Sequence, residues 1–227
     1  MIFDEKTMRY IDIFTSSFLP LLKAGLTYTL FLTLISFALG LIVALLTALA
    51  RISNIKPLVA IASFYVWIIR GTPLLVQLFI IFYGLPSVGI ILDPLLAGVI
   101  GFTLSVGAYN SEVLRAAILS IPKGQWEASY SLGMTDGQAL KRTILPQAAR
   151  VSIPPLSNSF ISLVKDTSLA AAITVAEMFQ IAQRITATTY EPLLLYSEAA
   201  LIYLMICTVL TLLQSKIEKF LERYVAK

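Results

Sequence analysis

The chain has 227 residues, of which 58% are hydrophobic and only 13% are charged, whereas soluble domains carry roughly 25% charged residues. This composition excludes a water-soluble globular protein and indicates a chain whose solvent is a lipid bilayer. The chain contains no histidine and a single cysteine, which excludes His-based metal sites, His acid–base catalysis and an internal disulfide, and its net charge is +4.

Apolar runs long enough to cross a bilayer recur along the chain, since a spanning helix needs about 20 residues. They predict five transmembrane helices, at about residues 24–50, 58–85, 94–119, 155–176 and 193–213. Residues 3–22 are moderately amphipathic, which favours a position at the outer interface of the membrane. Asp4 and Glu5 stand where a signal peptide carries positive charge, so the first run is expected to stay in the membrane. We therefore expect an all-α integral membrane protein that forms one domain over residues 1–227.

The basic residues are distributed unevenly over the predicted loops. With the N-terminus outside, the inside segments hold Arg51, Lys56, Arg115, Lys123, Lys141, Arg142, Arg150, Lys216, Lys219, Arg223 and Lys227. The outside segments then hold only Lys6, Arg9, Lys23 and Arg184. Because cytoplasmic loops carry an excess of Lys and Arg, this distribution predicts an outside N-terminus and a cytoplasmic C-terminus, as five spans require.

The predicted cytoplasmic loop at residues 120–152 has the pattern of two short helices. Gly133 stands where the first of these helices stops and the chain reverses. Thr135 with Gln138 fits a capping box that begins the second helix, and Pro146 is expected to end it. The pattern leaves two interpretations open, an interfacial loop that rests on lipid headgroups and a docking element for a cytoplasmic partner.

The same loop carries a motif, formed by Glu127, Ala128, Ser129, Gly133, Leu145 and Pro146. Their spacing resembles the EAA loop of the permease subunits of binding-protein-dependent ABC importers. Ser129 replaces the second alanine of that pattern, and Thr143 stands where isoleucine is usual. The resemblance implies that the loop docks into a cleft of an ATP-binding subunit and converts ATP-driven closure into movement of the spans.

Three further segments resemble the polar amino-acid branch of these permeases. They are residues 70–77, which begin with Arg-Gly-Thr-Pro, residues 108–116 and residues 155–169. The sequences around 123–127 and 165–166 look most like the cystine-type members. The likeness covers the chain after about residue 20. It implies the type I permease fold of ABC importers in a bacterial cytoplasmic (inner) membrane. It also implies a second permease copy or a related chain, two copies of an ATPase subunit, and an extracytoplasmic binding protein that docks near residues 86–93 and 177–192.

Four ionisable residues fall within the predicted spans, where charges usually face a partner or a water-filled path: Arg70, Glu112, Lys165 and Asp166. An amino-acid zwitterion needs a cation for its carboxylate, which Arg70 can offer as a bidentate fork, and an anion for its ammonium group, which Asp166 or Glu112 can offer. Neutral hydrogen bonds can come from Thr72, Asn110, Thr167 and Ser168. The alternative is that these charges pair with one another, Arg70 with Glu112, and hold the bundle together.

The tripeptide Gly71-Thr72-Pro73 is expected to weaken the second span at membrane depth, because proline removes a backbone donor and kinks a helix. Broken helices in lipid persist where they are buried or line a cavity. The tripeptide is therefore either a pore wall or hinge, or a static kink that packs against a neighbouring helix.

Taken together, these features favour a permease for a polar amino acid, with L-cystine as the best guess. The sequence lacks a Gly-x-x-x-x-Gly-Lys phosphate loop, so ATP and Mg²⁺ are expected to be used by the partner ATPase and no cofactor by this chain. An ion-coupled secondary transporter would explain Asp166 and Glu112 as coupling sites but would leave the folded loop unexplained, and no internal repeat supports it. A membrane-embedded enzyme is disfavoured because no nucleophile–base constellation is evident.

Overall fold

The structure is a computed structural model that describes residues 5–222, and every regular element within this range is helical. The α-helices are α1 (Glu5–Ala24), α2 (Leu30–Ile52), α3 (Lys56–Arg70), α4 (Leu74–Phe79), α5 (Pro94–Leu119), α6 (Lys123–Ser131), α7 (Asp136–Ala139), α8 (Leu145–Asp166), α9 (Met178–Thr189) and α10 (Pro192–Glu222). The all-α prediction is confirmed. Short π-helical and 3-10 stretches continue several of these helices and decide how they connect.

The first two helices form one continuous segment of 48 residues, Glu5–Ile52, which is longer than the predicted first span. A π-helical turn at Gly25–Thr29 joins α1 to α2. Close packing explains the glycine at the start of this turn, because a Cβ at Gly25 would lie 3.2 Å from the sulfur of Met178. α1 packs against α9 and α10, and its predicted place at the membrane interface stays a prediction.

The predicted second span is two helices rather than one. α3 and the segment Leu74–Val88 meet at an angle of 102°. The break falls at the predicted tripeptide, where Gly71 ends α3 and Pro73 adopts an extended conformation. The side-chain amide of Gln77 donates hydrogen bonds to the carbonyl oxygens of Ile69 at 2.8 Å and Thr72 at 3.1 Å. These bonds satisfy carbonyl groups that the break leaves without helical partners, and they fix the bend.

The prediction that Pro146 ends the second helix of the loop is wrong. Pro146 lies in the first turn of α8, and the helix continues through it from Asp136 to Ile173. A π-helical turn at Leu140–Ile144 lets the N–H of Leu145 reach the carbonyl oxygen of Leu140. We attribute the uninterrupted course to this wider turn, because it shifts the hydrogen-bond register where proline has no donor.

The C-terminal part of α8 is continued by a 3-10 segment, Thr167–Ile173, which ends at Thr174 in a left-handed conformation with φ of 65°. The chain then bends by 49° into α9. The predicted fourth span at 155–176 therefore covers only the second half of α8, the 3-10 segment and the turn. Pro154 and Pro155, after which this span is predicted to begin, lie inside α8 rather than at its beginning.

By length and apolar composition, two of the described helical segments can cross a membrane, Glu5–Ile52 and Pro192–Lys219, and the number rises to four if each bent pair is one span. α5 has 26 residues and a length of about 39 Å, but it carries polar residues near its C-terminal end. The predicted number of five spans and their orientation stay predictions.

The centre of the bundle is α5, which packs along α2 through small residues. A Cβ on Gly107 would lie 2.6 Å from Cγ1 of Val43 and 2.7 Å from the hydroxyl oxygen of Tyr65. That hydroxyl donates to the carbonyl oxygen of Leu104 at 2.6 Å. The largest apolar cluster, which includes the fully buried Leu32, Leu78 and Phe102, also joins α2 to α5. Small residues in membrane helices permit this close approach.

We predict that Gly107→Ala destabilises the folded chain by about 1–3 kcal/mol, the range for overpacking a filled core. The added methyl group would overlap Val43 and the Tyr65 hydroxyl. The measurement is the melting temperature of the detergent-solubilised protein, followed by its loss of monodispersity on heating. Gly84→Ala is the matched control, because the nearest atom to its Cβ would be 3.8 Å away. Equal melting temperatures for the two variants would contradict this account of the packing.

Candidate translocation and coupling sites

One carboxylate, that of Glu112 on α5, is shared by three arginines. Its Oε2 accepts hydrogen bonds from Arg115 Nε at 3.1 Å and Nη2 at 2.9 Å. Its Oε1 accepts a hydrogen bond from Arg51 at the end of α2 and lies 3.5 Å from Nη1 of Arg70 at the end of α3. We call these four residues the Glu112 cluster. It ties the ends of three helices together, which is the structural role that the sequence left open for Arg70 and Glu112.

The ion pairs of Glu112 differ from the sequence prediction, which named only Arg70 as its partner. The predicted partner, Arg70, makes the longest contact, and its side chain is 43% exposed. Arg51 and Arg115, which the prediction did not include, make the hydrogen bonds. A signal for Arg115 was present, because it follows Glu112 by one helical turn. No local signal could identify Arg51, which is 61 residues away along the chain.

An open cavity of about 380 Å³ lies between α4, α5 and α8 next to this cluster. Four hydroxyl-bearing residues and one carboxylate contribute its polar lining: Ser105, Tyr109, Ser159, Ser162 and Asp166. The guanidinium carbon of Arg70 lies 5.4 Å from the centre of the Tyr109 ring, so the ring separates a cation from the cavity. A cation beside one wall and Asp166 on another are the charges that a zwitterion needs.

The predicted pathway residues divide between two cavities. Asp166 lines the first cavity, whereas Lys165 and Ser168 line a second one of about 540 Å³ between α8, α9 and α10. Thr167 is fully buried, and its hydroxyl donates to the carbonyl oxygen of Val164 at 2.7 Å. The structure therefore does not bring these four consecutive residues to one site, because neighbouring residues of a helix point in different directions.

Two other predicted pathway residues have local roles. Thr72 lies at the bend, where its hydroxyl donates to the carbonyl oxygen of Ile68 at 2.9 Å and accepts from Gln77 at 2.9 Å. Asn110 is 1% exposed, and its amide nitrogen has no hydrogen-bond partner within the described chain. Sequence reasoning missed Tyr109 and Gln77 as functional positions, although both lie inside the segments that carry the family resemblance.

The predicted coupling loop is a folded unit packed on the ends of α2 and α5. Ile118 and Ile121 form a buried cluster with Ile144 and Ala148, against which Leu49, Ile52 and Trp126 pack. Glu127 and Ala128 lie on α6, whereas Leu145 and Pro146 begin α8. An apolar contact of this kind transmits displacement, because close-packed interiors have low compressibility. A movement of α6 and α7 therefore reaches the ends of two long helices.

The reversal between α6 and α7 has the predicted local structure. Gly133 has φ of +74°, in the left-handed region that favours glycine. Thr135 and Gln138 form the predicted capping box, with distances of 3.4 and 3.0 Å. Desolvation and the neighbouring Asp136 carboxylate raise the pKa of the Tyr130 phenol.

The two residues that depart from the EAA pattern contact each other. The hydroxyl oxygens of Ser129 and Thr143 lie 3.0 Å apart, and Ser129 also donates to the carbonyl oxygen of Gln125 at 2.8 Å. Both residues join α6 to the start of the α8 segment. The two departures from the pattern therefore form one polar contact inside the folded loop.

Long apolar helices around an open cavity, with a folded segment packed on their ends, are the features of a membrane permease. Residues 36–223 match the family described as "binding-protein-dependent transport system inner membrane component". The chain belongs to this family. The family resemblance inferred from the motifs is thereby confirmed, and the ion-coupled alternative gains no support.

Individual relatives agree with the family assignment. The chain is 58% identical to the L-cystine transport system permease protein TcyB of Bacillus subtilis, over 95% of this chain and 93% of that protein. It is 40% identical to the probable amino-acid ABC transporter permease protein YckA of the same organism, over 91% of each chain. A solved structure of an amino acid ABC transporter with histidines matches with a TM-score of 0.81 and 35% identity, covering 96% of this chain and 99% of that one.

We predict that Glu112→Gln destabilises the chain by about 2 kcal/mol, because it leaves three guanidinium groups without their carboxylate. The measurement is the yield and melting temperature of the purified protein. Glu191→Gln is the matched control, because the side chains of both glutamates are 22% exposed but, among the described residues, Glu191 pairs only with the exposed Arg9. A Glu112→Gln protein as stable as the Glu191→Gln protein would contradict a structural role for the cluster.

Proposed function

We propose that this chain is the translocation subunit of an importer that moves L-cystine, received from an extracytoplasmic binding protein, into the cytoplasm. The observation that carries the substrate is the 58% identity to an L-cystine permease over nearly the whole chain. The chain itself performs no hydrolysis in this proposal. Energy comes from a separate ATPase subunit that docks on α6 and α7.

The proposed assembly has two permease chains, either two copies of this one or this chain with a related one, and two ATPase subunits. In this proposal the chain crosses a bacterial cytoplasmic membrane several times. Nucleic acid is not among its proposed partners. Support for an ATPase docking surface comes from the folded coupling segment, whose apolar cluster joins it to α2 and α5. The side chain of Leu132 at the reversal is 78% exposed, and an exposed apolar tip fits a cleft of a partner.

The cavity beside the Glu112 cluster is the proposed passage for substrate. Asp166 would receive the ammonium group of the amino acid, and the Arg70 guanidinium behind the Tyr109 ring would attract its carboxylate. The hydroxyl groups of Ser105, Ser159 and Ser162 add hydrogen bonds that do not select one particular substrate side chain. A polar passage that binds substrate weakly allows the substrate to be released. The binding protein would then supply most of the selectivity for the substrate.

The direct test is a pull-down of the tagged chain from mild detergent, followed by mass spectrometry of the proteins that accompany it. A P-loop ATPase in near-equal amount supports the proposal, and a second permease in the same sample distinguishes a heterodimer from a homodimer. A chain that purifies alone under conditions that keep it monodisperse would contradict it.

We predict that Gly133→Asp leaves the chain folded in the membrane but abolishes co-purification of the ATPase. No atom lies within 4 Å of a Cβ at this turn, so the fold has room for the side chain. The left-handed conformation costs about 1–2 kcal/mol for a residue other than glycine, and the new charge would lie on the docking surface. Gly89→Asp is the matched control, because Gly89 also has positive φ and open space but follows α4 on the predicted outer side. Equal ATPase recovery with both variants would disprove docking at this turn.

We predict that Asp166→Asn lowers the uptake of labelled L-cystine by about tenfold, the factor expected when one charge-assisted hydrogen bond is lost. Complex yield should not change, because no described residue forms a salt bridge with Asp166. The measurement is initial uptake by cells that express the whole transporter. Asp12→Asn on the exposed face of α1 serves as the control. Normal uptake by a well-expressed Asp166→Asn protein would remove this residue from the passage.

A further inference from the structure

The second half of the broken span, Leu74–Val88, forms an arm that leads away from the first cavity. Leu74 lines this cavity together with Ser105 of α5. One turn further along the arm, Leu78 packs on Gly101, where a Cβ would lie 2.6 Å from Cδ2 of the leucine. The arm therefore runs from the cavity toward the N-terminal end of α5, which is predicted to face outside.

The 3-10 segment Thr167–Ile173 packs against this arm. Leu169 of the segment lines the first cavity, as Leu74 of the arm does. Ala170 of the segment and Leu78 of the arm are both fully buried and belong to one apolar cluster. We call this contact between the arm and the 3-10 segment the seam. It joins two walls of the cavity.

A side-chain hydrogen bond crosses the seam. The hydroxyl of Tyr83 on the arm donates to the carbonyl oxygen of Ala172 at 3.1 Å. The N–H groups of Thr174 and Val175, which follow, bond to the carbonyl groups of the two residues before Ala172 instead. The tyrosine thus supplies a donor to a carbonyl group that the end of the 3-10 segment leaves without a backbone partner.

Both sides of the seam have irregular helical geometry. Tyr83 lies in the π-helical turn Ile80–Gly84, and π-helical turns are rare and occur frequently at functional sites. The 3-10 segment has seven residues, whereas runs beyond three or four are uncommon, and it ends at the left-handed Thr174. Because the hydrogen bonds within a 3-10 helix are poorer than those of an α-helix, the position of this segment depends more on contacts from outside it.

We propose that Tyr83 is a positioning residue whose hydroxyl holds the 3-10 segment against the arm and thereby closes the seam beside the first cavity. Tyr83 is 54% exposed, and one neutral hydrogen bond contributes little to the stability of a whole fold, so this bond can break while the chain stays folded. The inference rests on the proposed function only in taking the cavity as the substrate passage. The closure of the seam is a property of the folded chain and can be measured without transport.

The test is the rate at which a water-soluble maleimide labels Ala170→Cys in the whole detergent-solubilised transporter with Cys207→Ser. Position 170 is fully buried, so the reagent reaches it only when the seam opens. Tyr83→Phe removes only the hydroxyl and should raise this rate about two- to tenfold, the range for the loss of one neutral hydrogen bond. Tyr28→Phe is the matched control, because Tyr28 has a similar exposure of 45% but lies in the turn between α1 and α2.

A second reporter distinguishes opening of the seam from general loosening. Ala182→Cys is this control reporter, because Ala182 is also fully buried but lies on α9, in the apolar cluster with α1 and α10. The expected result is faster labelling at position 170 with Tyr83→Phe alone and an unchanged rate at position 182. If Ala170→Cys yields no folded transporter, Ile173→Cys makes the same comparison, because residues three apart share one face of a 3-10 helix.

Equal rates at position 170 with Tyr83→Phe and Tyr28→Phe would overturn the proposal, and so would the absence of labelling with both. An equal increase at both reporters would overturn it as well, because the hydroxyl would then stabilise the fold in general. A selective increase at position 170, in a transporter whose unmodified form takes up no amino acid, would leave the positioning role standing and contradict the proposed function instead.

Discussion

The neutralisation of Glu112 is the constraint on which the arrangement of the helices depends. A carboxylate in an apolar bundle is stable only with its charge and hydrogen bonds satisfied, and here arginines from α2, α3 and α5 satisfy it together. This requirement holds the end of α3 beside α5, and the chain turns by 102° immediately after Arg70. The cavity lies next to this turn, so the charge cluster and the cavity share the Arg70–Tyr109 contact.

The same ends of α2 and α5 also carry the coupling segment. Arg51 and Ile52 are adjacent at the end of α2, and one belongs to the charge cluster while the other packs against the segment's apolar cluster. Arg115 and Ile118 divide in the same way on α5. A force applied at α6 and α7 therefore acts on helices whose neighbouring turns form the charge cluster. This adjacency provides a short physical route from the proposed docking surface to the bend beside the cavity.

Features set by local chemistry could be predicted from the sequence. The helical bundle, the capping box at Thr135, the left-handed Gly133 and the break at Gly71-Thr72-Pro73 each depend on residues near one another in the chain. The course through Pro146 could not be predicted, because a π-helical turn altered the hydrogen-bond register before it. Periodicity gives no sign of such a turn.

Features that depend on contacts between distant parts of the chain could not be predicted from the sequence. Arg51 and Glu112 are far apart in the chain, and so are Glu177 and Thr29. The run Lys165-Asp166-Thr167-Ser168 is predicted as one site, but helical geometry directs its residues to two cavities and one fully buried position. The packing of α8 against α5 and α10 thus decides which of these side chains face each cavity.

The most direct test of the central claim, that movement of substrate through this chain is driven by ATP hydrolysis in a separate subunit, is reconstituted transport. Proteoliposomes would contain the chain with its co-purifying ATPase and binding protein, and uptake of labelled L-cystine would be measured with no ion gradient across the membrane. The account predicts uptake only when ATP is present on the side of the coupling segment and none when the ATPase is left out. Uptake by the chain alone, driven by an imposed proton or sodium gradient, would contradict it.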